Sequence, residues 1–321
     1  MESVKEQGGA PAVVDNVEAA RRAPLPVRLG RHFRKYWQLW TFALPAMIFV
    51  VIFAYVPMYG LGLAFKNYDP RKGITGGKFV GFKYFQQFFQ NPQFWPIMRN
   101  TINIAVQTVA FGFIFPIILA LLINQIHSMK VKSFVQTITY MPHFISVVVM
   151  VSMINIFLTP DSGILGRFFG EQSLLAYPSW FAPIYWITEV WQHCGWNCII
   201  YLAALSAVDV SLYEAAKIDG AGRLRLIWSV DLPTILPTCV IMLILNLGGI
   251  LNVGFDKTYL LQNALNQPGS EVISTYVYKM GILNGQISLS TAVGLFNTLI
   301  NFFFLVAANF ISKKVSDTSI F

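Results

Sequence analysis

Of the chain's 321 residues, 55% are hydrophobic and only 12% are charged, about half the charged share of an ordinary soluble domain. With a mean hydropathy of +0.56, this composition excludes a soluble globular protein. The net charge of +8 and pI of 9.4 do not indicate a nucleic-acid surface, because the basic residues gather in tails and loops beside apolar runs, where they orient a membrane protein.

Residues 1–36 are polar, and Arg21, Arg22, Arg28, Arg31, Arg34 and Lys35 cluster just before the first apolar run. A cleaved signal peptide would place its apolar core nearer the start, so a retained, basic cytoplasmic tail is expected, disordered in its first part. Six nearly uncharged runs follow at about 40–65, 100–124, 136–159, 182–207, 233–255 and 289–312, each meeting the ~20 residues a bilayer requires. The expected fold class is therefore an all-α membrane protein with six transmembrane helices, its domain spanning 37–321. With the amino terminus inside, the inner segments carry 14 of the 23 Lys and Arg residues. Lys66, Arg71, Lys72, Lys78 and Lys83 crowd the first external loop and weaken that bias. The tail decides the orientation, since the earliest helix usually dominates, and both termini are then cytoplasmic.

Aromatic and polar residues alternate over 79–95, suggesting a short amphipathic helix whose rings anchor at the outer interface rather than stack on a ligand. In the third run, Pro142 should kink or start a helix, and the neighbouring His143 is read as hydrogen-bonded and structural, with a proton-linked group as the alternative. The fourth run holds the only acidic residue deep in an apolar stretch. Glu189, His193 and Asn197 recur one helical turn apart, with Trp186 and Trp196 near the same side. An intramembrane charge costs ~2.5–3.5 kcal/mol on insertion scales. Glu189 therefore either lines a polar pathway or pairs with His193 to lock packing. Asn246 and Asn252, around Gly248-Gly249, make the fifth run polar and deformable, and Asn297 and Asn301 do the same in the sixth. These amides suit a substrate pathway and interhelical hydrogen bonds equally well. Cys194, Cys198 and Cys239 lack ligand-spaced partners and are read as packing residues, with no metal site.

Between the fourth and fifth runs lies 211–237, "SLYEAAKIDGAGRLRLIWSVDLPTILP", more charged than any other internal loop of its length. Ser211 and Glu214 form an S-x-x-E capping box, predicting a helix from Leu212. Leu212, Ala215, Ala216 and Ile218 supply an apolar side, and Glu214, Lys217 and Asp219 a polar one. Gly220 ends this helix because φ turns positive or because another backbone comes close. A second helical run, 224–230, leads to Leu232-Pro233.

Glu214-Ala215-Ala216, Gly220 and Val230-x-Leu232-Pro233 resemble the EAA loop of ABC-importer permeases, and Asp219, Ala221 and Pro237 match its sugar-permease form. Gly81, Phe85, Asn91-Pro92, Phe94 and Asn100-Thr101 resemble the segment before the second span in carbohydrate permeases. "SEVISTYVYK", "STAVGLFN" and the terminal "SKKVSDTSIF" resemble the branch importing polysaccharide fragments and complex oligosaccharides. One departure is that Val208-Asp209-Val210 stands where the family often has a proline, leaving the helix entry angle open. The resemblance implies a type I importer permease fold, and that Glu214, Ala215, Ala216, Asp219, Gly220, Ala221, Leu232 and Pro233 form the coupling element for an ATPase. It also implies a second homologous permease, two ATPase subunits, an extracytoplasmic solute-binding protein, an oligosaccharide substrate and a place in the cytoplasmic (inner) membrane.

The chain has no G-x-x-x-x-G-K-[ST] loop, G-x-S-x-G, H-E-x-x-H or carboxylate pair suited to glycoside cleavage. It is expected to be a transporter subunit and not an enzyme, without a cofactor of its own, with ATP and Mg on the partner ATPase. An ABC permease for another solute is the first alternative. An ion-coupled secondary transporter is the second; it would want several charged sites in the spans and inverted repeats, and only Glu189 qualifies.

Overall fold

A computed structural model describes residues 35–160, 162–168 and 172–315, with side chains as far as Ile311. The expected basic tail, apart from Lys35 and Tyr36, and the last six residues lie outside the described residues. Contacts divide the chain into a first unit ending at Leu61 and a second beginning at Gly62.

The first unit holds the greater part of the helical run α1 (Trp37–Phe65), 29 residues long and apolar enough to cross a membrane. Its regular part ends at Val50 and widens into a π turn at Val51–Tyr55, just ahead of Pro57. A proline lacks the N–H for the preceding turn, and its ring would strike the carbonyl four residues back. A widened turn accommodates both.

The second unit opens with a two-residue hairpin, β1 (Lys66–Asn67) against β2 (Lys78–Phe79), a minor exception to the all-helical expectation. Ser288 Oγ accepts from Tyr68 N at 3.0 Å and donates to Lys66 O at 2.6 Å, tying this loop to the start of the last span. The amphipathic helix expected here is α2 (Lys83–Phe89). Its rings do not all anchor at an interface, however. Phe88 is 2% exposed and meets Phe94 edge-on at 5.1 Å and Phe296 at 5.8 Å. The segment is partly core because Ile97, Tyr276 and Val293 offer an apolar bed for that ring.

Next come α3 (Phe94–Asn124), α4 (Met129–Tyr140) and α5 (Val147–Leu158). The third span, expected over 136–159 with a kink or helix start at Pro142, is two helices bent by 97°. A 3₁₀ turn over Met141–Phe144 holds Pro142, Ile145 is extended, and the Ser146 hydroxyl caps α5 by accepting from Val149 N at 3.4 Å. The chain then runs through α6 (Pro178–Ser206), α7 (Val210–Ile218) and α8 (Arg223–Leu247). The fifth span begins earlier and stops earlier than its expected 233–255: a π turn at Ile227–Asp231 carries the helix into Pro233, and Gly248 ends it. Short helices α9 (Phe255–Leu261), α10 (Gln267–Ser270) and α11 (Ile273–Tyr278) precede α12 (Ile287–Val315). Four runs (α1, α3, α8 and Ile287–Ile311 of α12) meet the length and hydropathy of a span, and the bent pairs α4–α5 and α6–α7 raise the number to six.

Helices α3 and α6 share the most extensive contact in the second unit. Ile104, Phe181, Tyr185 and Leu261 centre one core cluster; Ile123, Cys198, Tyr201 and Ile235 centre another. At Gly195, α6 crosses the end of α4 so closely that an added Cβ would lie 1.9 Å from Thr139 O. Only a glycine permits that approach.

Candidate functional site

Helix α7 starts two residues earlier than the capping box predicts. Asp209 is the N-cap, extended at φ −63°, ψ 128°, and its carboxylate accepts from Ser211 N at 2.9 Å. That hydrogen bond holds the Asp209 carboxyl below its usual range. The Ser211–Glu214 box does not form, since Ser211 already lies inside the helix and Asp209 supplies the acceptor. Asp209 thus fixes the entry where the family often has proline, and Glu214 is left exposed.

The other end is a Schellman motif. Ala221 N donates to Ala216 O at 2.9 Å, Gly220 N donates to Lys217 O at 3.0 Å, and Gly220 has φ +72°. An added Cβ on Gly220 would meet nothing within 4 Å, so the positive φ, and no close backbone, is why glycine stands there. Between these caps α7 divides its apolar residues. Tyr213, Ala216 and then Ala221 pack on Val208, Leu226 and Val230. Leu212, Ala215 and Ile218 face outward, with Ile218 86% exposed. Ala216 therefore belongs to the inner face, against the expectation that it shares the outer one. Asp219 is the exposed C-cap, Leu232 is half-buried against the core around Ile235, and Pro233 is exposed in the first turn after the π segment.

Sequence reasoning missed the residue between Val230 and Leu232. Asp231 is fully buried and accepts from Tyr213 Oη, from Asn124 Nδ2 at 3.2 Å and from Gln125 Nε2 at 2.7 Å. Burial first, and then its bond to Asp231, push the Tyr213 phenol up to about 12, so it is a hydrogen-bond donor at neutral pH.

The second constellation centres on Glu189. Glu189, His193 and Asn197 of α6 and Asn246 of α8 line one cavity of about 160 Å³, with Thr108 of α3 beside them. The Thr108 hydroxyl is buried and has no hydrogen-bond partner among the described residues. Lys257 Nζ lies 2.7 Å from Glu189 Oε2, donates to Tyr185 O at 3.3 Å, and stands 4.8 Å from the centre of the Tyr185 ring. Glu189 Oε1 is 3.4 Å from His193 Nε2, and His193 Nδ1 is 3.0 Å from His143 Nδ1. A consistent assignment has His143 Nδ1–H donating to His193, and His193 Nε2–H donating to Glu189. His143 also stacks on Trp196 at 4.4 Å, and Trp186 stacks on Phe111 at 3.9 Å. Glu189 thus both pairs with His193 and lines the cavity. Its main partner, Lys257, read in the sequence as an ordinary loop lysine.

The remaining three amides form a separate group. Asn252 Oδ1 accepts from Asn297 Nδ2 at 3.2 Å and Asn301 Nδ2 at 3.0 Å, and Asn301 Oδ1 accepts from Leu251 N at 2.9 Å. They tie the unwound end of the fifth span to α12, apart from the Glu189 cavity.

A family model described as "Binding-protein-dependent transport system inner membrane component" matches residues 112–317. The chain is 39% identical to protein LplB of Bacillus subtilis over the full length of both. It is 43% identical to the polygalacturonan/rhamnogalacturonan transport system permease protein YteP of the same organism, over 88% of this chain and 90% of that one. Among solved structures, it resembles a chain of the bacterial alginate ABC transporter in complex with an alginate pentasaccharide-bound periplasmic protein. That match has 36% identity and a TM-score of 0.83 over 91% of this chain and 100% of the other. The chain belongs to the binding-protein-dependent transport family of inner membrane components. It has the ABC-importer permease fold, spans the membrane several times, and is a transport permease and not an enzyme.

Proposed function

We propose that this permease forms one half of the translocation pathway of an ATP-driven importer of oligosaccharides or polysaccharide fragments. A second homologous permease completes the pathway, two ATPase subunits bind ATP and Mg, and an extracytoplasmic solute-binding protein delivers the sugar. Both termini and the 208–231 link are cytoplasmic in this reading, and no cofactor sits on this chain.

One observation carries it: α7, capped at both ends, presents Leu212, Ala215 and Ile218 to the outside while Tyr213 and Ala216 fix it to the bundle. A nine-residue helix too short to be stable alone, held on one face and apolar on the other, suits insertion into a partner's cleft. Glu214, Ala215, Asp219 and Gly220 shape that contact, and Ala216, Ala221, Leu232 and Pro233 seat it. The polysaccharide class is supported by what the similar permeases are named for, an acidic polysaccharide among them. The cavity lined by Glu189, His193, Asn197 and Asn246 is our candidate pathway segment, with hydroxyl and amide groups suited to sugar. Asn252, Asn297 and Asn301 shape the helix beside it.

The ion-coupled alternative draws on the His143–His193–Glu189–Lys257 chain, a plausible proton relay by its composition. Its charges are already mutually compensated, and it gives no purpose to the outward face of α7. The test is co-purification with an ATPase and uptake that depends on ATP and is blocked by vanadate. Uptake driven by an ion gradient without an ATPase would favour the alternative.

A further inference from the structure

Besides the Glu189 cavity, a buried carboxylate at the foot of α7 stands out. Asp231 is fully buried, and no cation pairs with it among the described residues. A buried carboxylate is costly unless hydrogen bonds compensate it. Three neutral donors do so here, and with Asp231 itself three separate elements meet. Gln125 and Asn124 come from the end of α3, Tyr213 from α7, and Asp231 itself lies in the π turn of α8.

The rest of the seat of α7 is thin. Its apolar contact is the small cluster of Val208, Leu226 and Val230 under Tyr213, Ala216 and Ala221. On the side of Lys217 and Arg223 an open cavity of about 460 Å³ separates α7 from Asn124, Gln125 and His127. Across that gap the Tyr213 hydroxyl is the polar bridge, reached also by Asn124 Nδ2 at 3.3 Å.

We propose that Asp231 is a positioning residue, a strut through which displacement of α7 is carried into α3 and α8 together. Charge-assisted hydrogen bonds are roughly twice as strong as neutral ones. Three of them meeting on one carboxylate constrain direction as well as distance. Without the strut, α7 can rock on its small apolar seat while its outward face keeps its partner. The partner's motion is then spent on α7 alone. The proposal rests on the coupling reading above.

The experiment uses the reconstituted importer with Tyr213→Phe and Asp231→Asn. Tyr213→Phe keeps the ring on Val208, Leu226 and Val230 and removes only the bridging hydroxyl. The readouts are ATPase co-purification, basal ATP turnover, stimulation of turnover by the loaded solute-binding protein, and amide hydrogen exchange over 210–221 and 122–128. For Tyr213→Phe we expect wild-type co-purification and basal turnover, stimulation reduced about fivefold, and faster exchange in both segments. Asp231→Asn should move the same way; if it fails to insert, Tyr213→Phe decides alone. Undiminished stimulation in Tyr213→Phe overturns the strut. So does loss of ATPase association in that variant, which would mark Tyr213 as merely structural. A wild-type permease that binds no ATPase would instead sink the coupling reading, and the exchange data would still report whether Tyr213 ties α7 to α3.

Discussion

Gly220 offers a graded test of whether the α7 cap governs coupling. Its φ of +72° is one that L residues adopt at a cost, about 1–2 kcal/mol for an ordinary side chain. A Cβ there would meet nothing within 4 Å, so the cost is backbone strain alone, uncontaminated by clash. The strain falls on the two Schellman hydrogen bonds, Ala221 N to Ala216 O and Gly220 N to Lys217 O. A helix of nine residues has no reserve of its own with which to resist. A shift of 1–2 kcal/mol changes a closed-to-frayed ratio by about 5- to 30-fold. Gly220→Asn, which tolerates the left-handed region, should cost least, Gly220→Ala more, and β-branched Gly220→Val most. Binding-protein-stimulated ATP turnover in reconstituted vesicles should fall in that order, with amide exchange of 216–221 rising in step. A valine variant equal to wild type, or a series in which asparagine is worst, would refute the reasoning.

Gly195→Ala should abolish assembly, because its methyl would lie 1.9 Å from Thr139 O; detergent-stable permease at wild-type yield would contradict the close crossing. Lys257→Met should destabilise the permease by less than the ~3–5 kcal/mol of a broken fully buried pair, since Glu189 keeps 28% exposure and His193 as a partner, while Lys257→Met with Glu189→Gln recovers most of it; thermal unfolding of both reports the difference. A cysteine placed at Ser211 should resist an impermeant thiol reagent added to intact cells, and ready labelling would invert the topology.

Most of the fold was legible because each signal was periodic or positional. Apolar runs long enough for a bilayer announce themselves, and Glu214 to Gly220 sit at fixed spacing around a helix end. What escaped was set by contacts distant in sequence. Asp231 occupies a position the motif leaves free, and its importance arises only when Asn124 and Gln125 arrive from α3. Lys257 lies in a polar stretch that reads as external. Only the fold brings it beside Glu189, 68 positions earlier. Pro142 signalled a disturbance in the third span, but the full 97° bend needed Ile145 to be extended and Ser146 to cap a new helix. Phe88 read as one ring among many. Its burial depends on Phe296 and Tyr276, both far along the chain.

The carboxylates of Glu189, half-buried on α6, and Asp231, fully buried on α8, are compensated in different ways. Glu189 has a lysine at 2.7 Å, an opposite charge that makes the pair nearly neutral within the apolar interior. Asp231, fully buried, has only neutral donors among the described residues, and three of them share its charge. Asp231 stands near the start of α8, and Lys257 lies just past the end of the same span, on α9. The fifth span is therefore gripped twice: near its start to α3 and α7 through Asp231, and beyond its end to α6 through Glu189. Gly248 and Gly249 leave the backbone between these grips free to deform, while Asn252, Asn297 and Asn301 hold its loosened end to α12. In the proposed coupling, a displacement entering at α7 reaches α3 and α8 by Asp231, and it alters the Glu189 cavity by moving Thr108 of α3, by moving Asn246 of α8, or by straining the Lys257 contact. These responses act on the walls that α3, α6 and α8 share.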